Sequence, residues 1–86
     1  MTLRIEKVSG AGKTIFRVSG RIGLEYLAEL NSQMEGMGPG TVLDLEHVTL
    51  VDVDGVGFLS ECEARGIELA HCSQYIREWI ARERQR

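Results

Sequence analysis

The segment Thr41-Val42-Leu43-Asp44-Leu45 is too apolar on both faces of an extended chain for an edge strand. It reads as a central strand. Val48 to Val51 continues the apolar run after a short kink at Glu46-His47. Between Asp52 and Gly55 the period then changes, because Val56, Leu59 and Cys62, with Phe58 alongside, recur at helical steps up to Arg65. A buried strand feeding directly into an amphipathic helix commits the chain to a sheet with helices packed on it.

The flanking segments extend that frame. Leu3-Arg4-Ile5-Glu6 alternates apolar and polar residues, Ile15-Phe16-Arg17-Val18 does so more loosely, and Ser9-Gly10-Ala11-Gly12 between them supplies turn residues, so an opening hairpin is predicted. Leu24, Leu27, Ala28, Leu30 and Met34 follow Gly23 with the spacing of one buried helical stripe, which Gly36-Met37-Gly38-Pro39-Gly40 ends. Gly66 stops the second helix, Ile67-Glu68-Leu69-Ala70 is a short strand, and Ser73 is placed to cap a last helix carrying Tyr75, Ile76, Trp79 and Ile80. The order is ββαβαβα, an α/β fold bordering on α+β: a mixed four-stranded sheet with three helices. Its hairpin is antiparallel and its two crossovers are parallel and right-handed. With 86 residues there is room for a single domain over residues 1–86 and for no large internal cofactor cavity.

Charge narrows the function. A formal charge of -3 argues against nucleic acid as the main partner. Asp44, Glu46, Asp52, Asp54, Glu61 and Glu63 form an acidic stretch without Lys or Arg, whereas Arg77 to Arg86 holds four arginines and two glutamates. Met1-Thr2-Leu3-Arg4 opens directly into a strand pattern, and no long apolar run follows anywhere, so no signal peptide, no membrane span and a cytoplasmic location are expected. Cys62 and Cys72 are then free thiols.

Several chemical motifs fail on context. Gly10-Ala11-Gly12-Lys13-Thr14 resembles the end of a phosphate-binding loop, yet Lys7 stands where the first glycine is needed and Thr14 feeds a strand. Cys62, His71, Cys72 and His47 lack the paired spacing of a structural zinc site, so no metal and no cofactor is expected. Cys72 precedes a helix N-terminus, where a thiolate would be favoured, but no general base is evident beside it except His71, so a thiol-based redox protein is the weaker alternative. Asp52-Val53-Asp54-Gly55 places two carboxylates on one helix start, the position of a cap and not of a catalytic pair across a cleft.

The run from Val42 to Leu59, with Val48-Thr49 and Asp52-Val53-Asp54-Gly55-Val56-Gly57, resembles the core signature of the STAS domain, shared by sulfate transporters and anti-sigma factor antagonists. Val18-Ser19-Gly20-Arg21-Ile22, Gly66-Ile67-Glu68-Leu69 and the segment from Ser73 to Ile80 resemble its other elements. The resemblance implies a non-catalytic domain that docks a regulatory protein, of anti-sigma factor or kinase type, through the strand-to-helix turn. The implied contact residues are Asp52, Val53, Asp54, Gly55 and Val56, with Glu46, His47 and Thr49 on the loop before them. In the family a kinase phosphorylates the second serine of Asp-Ser-Ser-Gly. That position is Asp54 here, and a carboxylate offers no hydroxyl to receive phosphate. The resemblance also implies a further strand and helix at the end, whose lack would leave the Ile67 to Ala70 edge open and favour a homodimer. A ligand- or nucleotide-sensing module of the same fold is the other alternative.

Overall fold

A computed structural model describes residues 3–84; Met1, Thr2 and Arg86, used in the sequence argument, lie outside them. The chain forms strand β1 (Arg4–Gly10), strand β2 (Lys13–Ile22), a 3-10 turn (Leu24–Tyr26), helix α1 (Leu27–Met34), strand β3 (Thr41–Val51), helix α2 (Val53–Ala64), strand β4 (Glu68–Ala70) and helix α3 (Gln74–Arg84). The sheet runs β1-β2-β3-β4, with β1 antiparallel to β2 and the remaining pairs parallel. This is the expected ββαβαβα order and mixed sheet.

Both hairpin strands run further than the alternation suggested, because the turn is only two residues long. Ala11 and Gly12 take φ of 51° and 77° between the paired Gly10 and Lys13, the double left-handed geometry that matches the twist of paired strands. Phe16, Val18, Leu43, Leu45 and Leu69 bury one face of the sheet against Leu30 and Met34 of α1, Val56, Leu59 and Cys62 of α2, and Ile76 and Ile80 of α3. The expected buried stripe before the glycine-rich breaker is only partly present. Leu24 and Ala28 are exposed, since the segment opens as a 3-10 turn, whose three-residue repeat rotates Leu24 away from the core.

Helix α2 ends in a Schellman motif. Gly66, at φ 89°, donates to the Glu63 carbonyl, and the Ile67 amide reaches the Cys62 carbonyl at 3.0 Å. Arg65 donates to the Met34 carbonyl at 2.7 Å and so closes the end of α1 as well. Ser73 accepts from the Ile76 amide at 3.3 Å, the expected cap of α3. The acidic stretch and the basic tail meet here: Glu63 pairs with Arg77 and, at 3.1 Å, with Arg84, so Glu63 is bound rather than merely solvated. The edge strand β4 has its Leu69 carbonyl taken by Arg77 at 3.4 Å.

Candidate functional site

Strand β3 reaches Val51 without a break, so Glu46, His47 and Thr49 sit on the strand and not on a loop. What the sequence shows as a kink is two bulges. Arg17 to Ser19 on β2 matches Asp44 to His47 on β3, and Gly20 to Arg21 matches Val48 to Leu50, an extra residue in β3 each time. The bulges lengthen the inward repeat to Leu45, Val48 and Val51, which brings Val48 against the core and leaves His47, Thr49 and Leu50 exposed. Thr49 uses its hydroxyl to bind the Gly20 carbonyl at 3.1 Å, supplying a bond at the second irregularity.

The two aspartates of the turn differ in kind. Asp52 caps α2, accepting from the Gly55 amide at 2.8 Å through Oδ1. Its Oδ2 accepts from the Leu24 amide at 3.1 Å, which ties the start of the 3-10 turn to the start of α2. Both oxygens are thus spent on the fold. Asp54 lies in the first turn of α2, is exposed, and among the described residues has no hydrogen bond or ion pair; the helix dipole favours its charge there.

Gly55 and Val56, expected at the contact surface, are buried. A Cβ on Gly55 would lie 2.5 Å from the Ile22 carbonyl and 2.8 Å from a Val51 methyl, so the close approach of α2 to the end of β2 requires glycine. Val56 is 0% exposed and belongs to the core. Neither presents a side chain to an approaching macromolecule.

Val53, expected at the contact surface, is exposed, and two apolar side chains that the sequence did not single out, Leu24 and Leu50, are exposed with it. Leu24, Leu50 and Val53 are 66%, 52% and 53% exposed, three of the five large apolar residues that face solvent among the described residues. All three flank Asp52: Leu24 through its amide, Leu50 two residues before it, Val53 one after. The Arg21–Glu25 pair, at 2.8 Å, adjoins them. Three exposed apolar side chains thus lie around the Asp52 cap, near an Asp54 carboxylate that has no partner among the described residues.

Glu46 and His47 belong elsewhere. Asp52 lies six positions beyond Glu46, roughly 20 Å along a fully extended chain. The Glu46 amide donates to Asp44 Oδ1 at 3.0 Å, and His71 Nδ1 lies 3.0 Å from the same oxygen. Burial acts to raise the Asp44 carboxyl, but the Glu46 amide and the His71 and Arg17 charges outweigh it and hold it below the ordinary value. Hydrogen bonding to Asp44 raises His71 in turn.

The thiols are quiet. Cys62 is buried in the core and its pKa is pushed up to about 11 by desolvation. Burial also raises Cys72, the reverse of the thiolate-favouring position expected ahead of a helix, and the neighbouring His71 has its Nδ1 engaged by Asp44. An open cleft of about 330 Å³ is lined by Glu63, Arg77, Ile80, Ala81 and Arg84, and its arginines are already paired with Glu63. Among the described residues no helix is long and apolar enough to cross a membrane.

No family model matches the sequence, and no curated protein matches it. Similarity is found in three dimensions. The unphosphorylated anti-sigma factor antagonist SpoIIAA superposes with a TM-score of 0.64 at 16% identity, over 90% of this chain and 79% of that one. An uncharacterized protein of the DUF3478 family from Shewanella loihica PV-4, described as having a SpoIIAA-like fold, aligns with a TM-score of 0.48 at 13% identity, over 96% of this chain and 77% of that one. The superposition, with the ββαβαβα order and the mixed four-stranded sheet, gives this chain the STAS-like fold of SpoIIAA.

Proposed function

We propose that the chain is a non-catalytic protein-interaction domain that docks a regulatory protein at the N-terminus of α2. The observation that carries this reading is the grouping of Leu24, Leu50 and Val53 with Asp54 around the Asp52 cap. Exposed apolar side chains beside a carboxylate with no hydrogen-bond or ion-pair partner among the described residues suit a partner surface with an apolar centre and a basic rim. The fold shared with an anti-sigma factor antagonist supports the same assignment, with a partner of anti-sigma factor or kinase type. Docking here is not switched by phosphorylation at residue 54, because Asp54 has no hydroxyl.

Asp52, Gly55 and Val56 build the surface rather than contact the partner, and Thr49 holds the strand beneath it. Placing a photo-crosslinking side chain at Leu24, Leu50 or Val53 in the native cytoplasm tests the assignment. One regulatory protein should be trapped from all three positions and not from the exposed Val8 or Tyr75. Equal trapping from Val8 and Tyr75 would remove the site.

A further inference from the structure

Midway along β3 the fold assembles a group of donors that the spacing of Cys and His in the sequence does not disclose. Asp44 and Glu46 come from β3 and His71 from the turn between β4 and α3, and one ligand atom from each lies within 4.8 Å of the others. The imidazole sets this group apart from an ordinary patch of carboxylates. We propose that Asp44, Glu46 and His71 form a three-donor site for a divalent first-row transition cation, with zinc the best match.

The chemistry selects the cation. One imidazole nitrogen with two carboxylate oxygens suits zinc and its first-row neighbours, whereas calcium takes six to eight oxygens and magnesium keeps a near-octahedral shell of oxygen and water. The geometry is close to a bound arrangement. Two ligands about 2.1 Å from one cation are separated by roughly 3.0–3.4 Å, and Asp44 Oδ1 and His71 Nδ1 already stand 3.0 Å apart. The cation takes the place of the proton that the pair shares. Glu46, with a side chain 58% exposed, closes the remaining distance by turning toward the other two. Support comes from behind: the Glu46 amide fixes the Asp44 carboxylate, as outer bonds do around metal ligands. Arg17 stands opposite Asp44 in the strand register and its charge opposes a cation, so the affinity is moderate. Three protein donors leave coordination positions for water or a small anion.

Isothermal titration of tag-free, chelator-stripped full chain with zinc chloride reads the site. One zinc per chain is expected. Asp44→Asn, Glu46→Gln and His71→Ala should each weaken binding at least tenfold, with circular dichroism showing the fold kept. Glu46→Gln serves as the variant least able to disturb folding. His47→Ala and Cys72→Ser should bind as the unaltered chain does, and magnesium or calcium at the same concentration should not compete. Absence of saturable zinc binding would overturn the proposal, as would loss of binding in Cys72→Ser or His47→Ala with retention in Glu46→Gln and His71→Ala.

Discussion

Replacing Asp52 with alanine should weaken the fold far more than replacing Asp54, although the two aspartates stand two residues apart and look alike in the sequence. Asp52→Ala removes an N-cap bond, worth about 1 kcal/mol. It also strips the Leu24 amide of its charged acceptor, about 1.5 kcal/mol more. The combined loss is about 2–3 kcal/mol, which for a domain of this size lowers Tm by roughly 10–20 °C. Asp54→Ala forfeits only the helix-dipole contribution, about 0.5 kcal/mol. Asp52→Asn keeps one acceptor oxygen and should fall between them. Equilibrium urea unfolding followed by the fluorescence of Trp79, which packs against the core from α3, measures all three variants under two-state conditions. Equal midpoints for Asp52→Ala and Asp54→Ala, within about 0.5 kcal/mol, would refute the division of labour drawn here.

The Asp44–His71 pair makes stability depend on pH in a definite direction. His71 is raised in the folded state, so its contribution is present below the ordinary histidine value of 6.5 and fades as pH rises through the folded value. Asp44 is lowered, so its contribution is present above 3.8 and is lost as pH falls through the folded value. His71→Ala should therefore destabilise the chain more at about pH 5.5 than at about pH 8.5 when measured in excess chelator; a difference that grows with pH contradicts the pairing. Both thiols should react with a disulfide reagent at neutral pH at least tenfold more slowly than glutathione, and a fast thiol at pH 7 would revive a redox reading. The homodimer expected from an open β4 edge would have to displace Arg77 from the Leu69 carbonyl, so sedimentation at micromolar concentration should show a dimer more readily in Arg77→Ala than in the unaltered chain. A monomer in both cases excludes pairing at that edge.

Much of the fold was legible because each element carries its own local signal. The switch of period at Asp52, the Gly66 stop and the Ser73 cap are chemical instructions that neighbouring residues carry out. The misreadings share a cause in long-range geometry. Leu24 fits a helical stripe by spacing, but a 3-10 opening turned it outward. Leu50 sits in an apolar run but takes the outward side of the strand, while two bulges whose positions depend on β2 bring Val48 to the core in place of His47 and Thr49. Glu46 and His47 lie near Asp52 in number and far from it along an extended strand. The Asp44–Glu46–His71 group needs a contact between residues 27 apart, which no spacing rule anticipates. The role of Gly55 depends on the approach of the Ile22 carbonyl, again a partner distant in sequence.

The docking claim stands most directly on the affinity of the partner trapped through position 24, 50 or 53, measured with purified proteins. Val53→Asp places a charge in the apolar patch without touching the core, since Val53 is half exposed. It should weaken binding at least tenfold while the urea midpoint stays within experimental scatter, and Tyr75→Asp should bind normally. Unchanged affinity in Val53→Asp and in Leu24→Asp, with both proteins folded, would contradict the account.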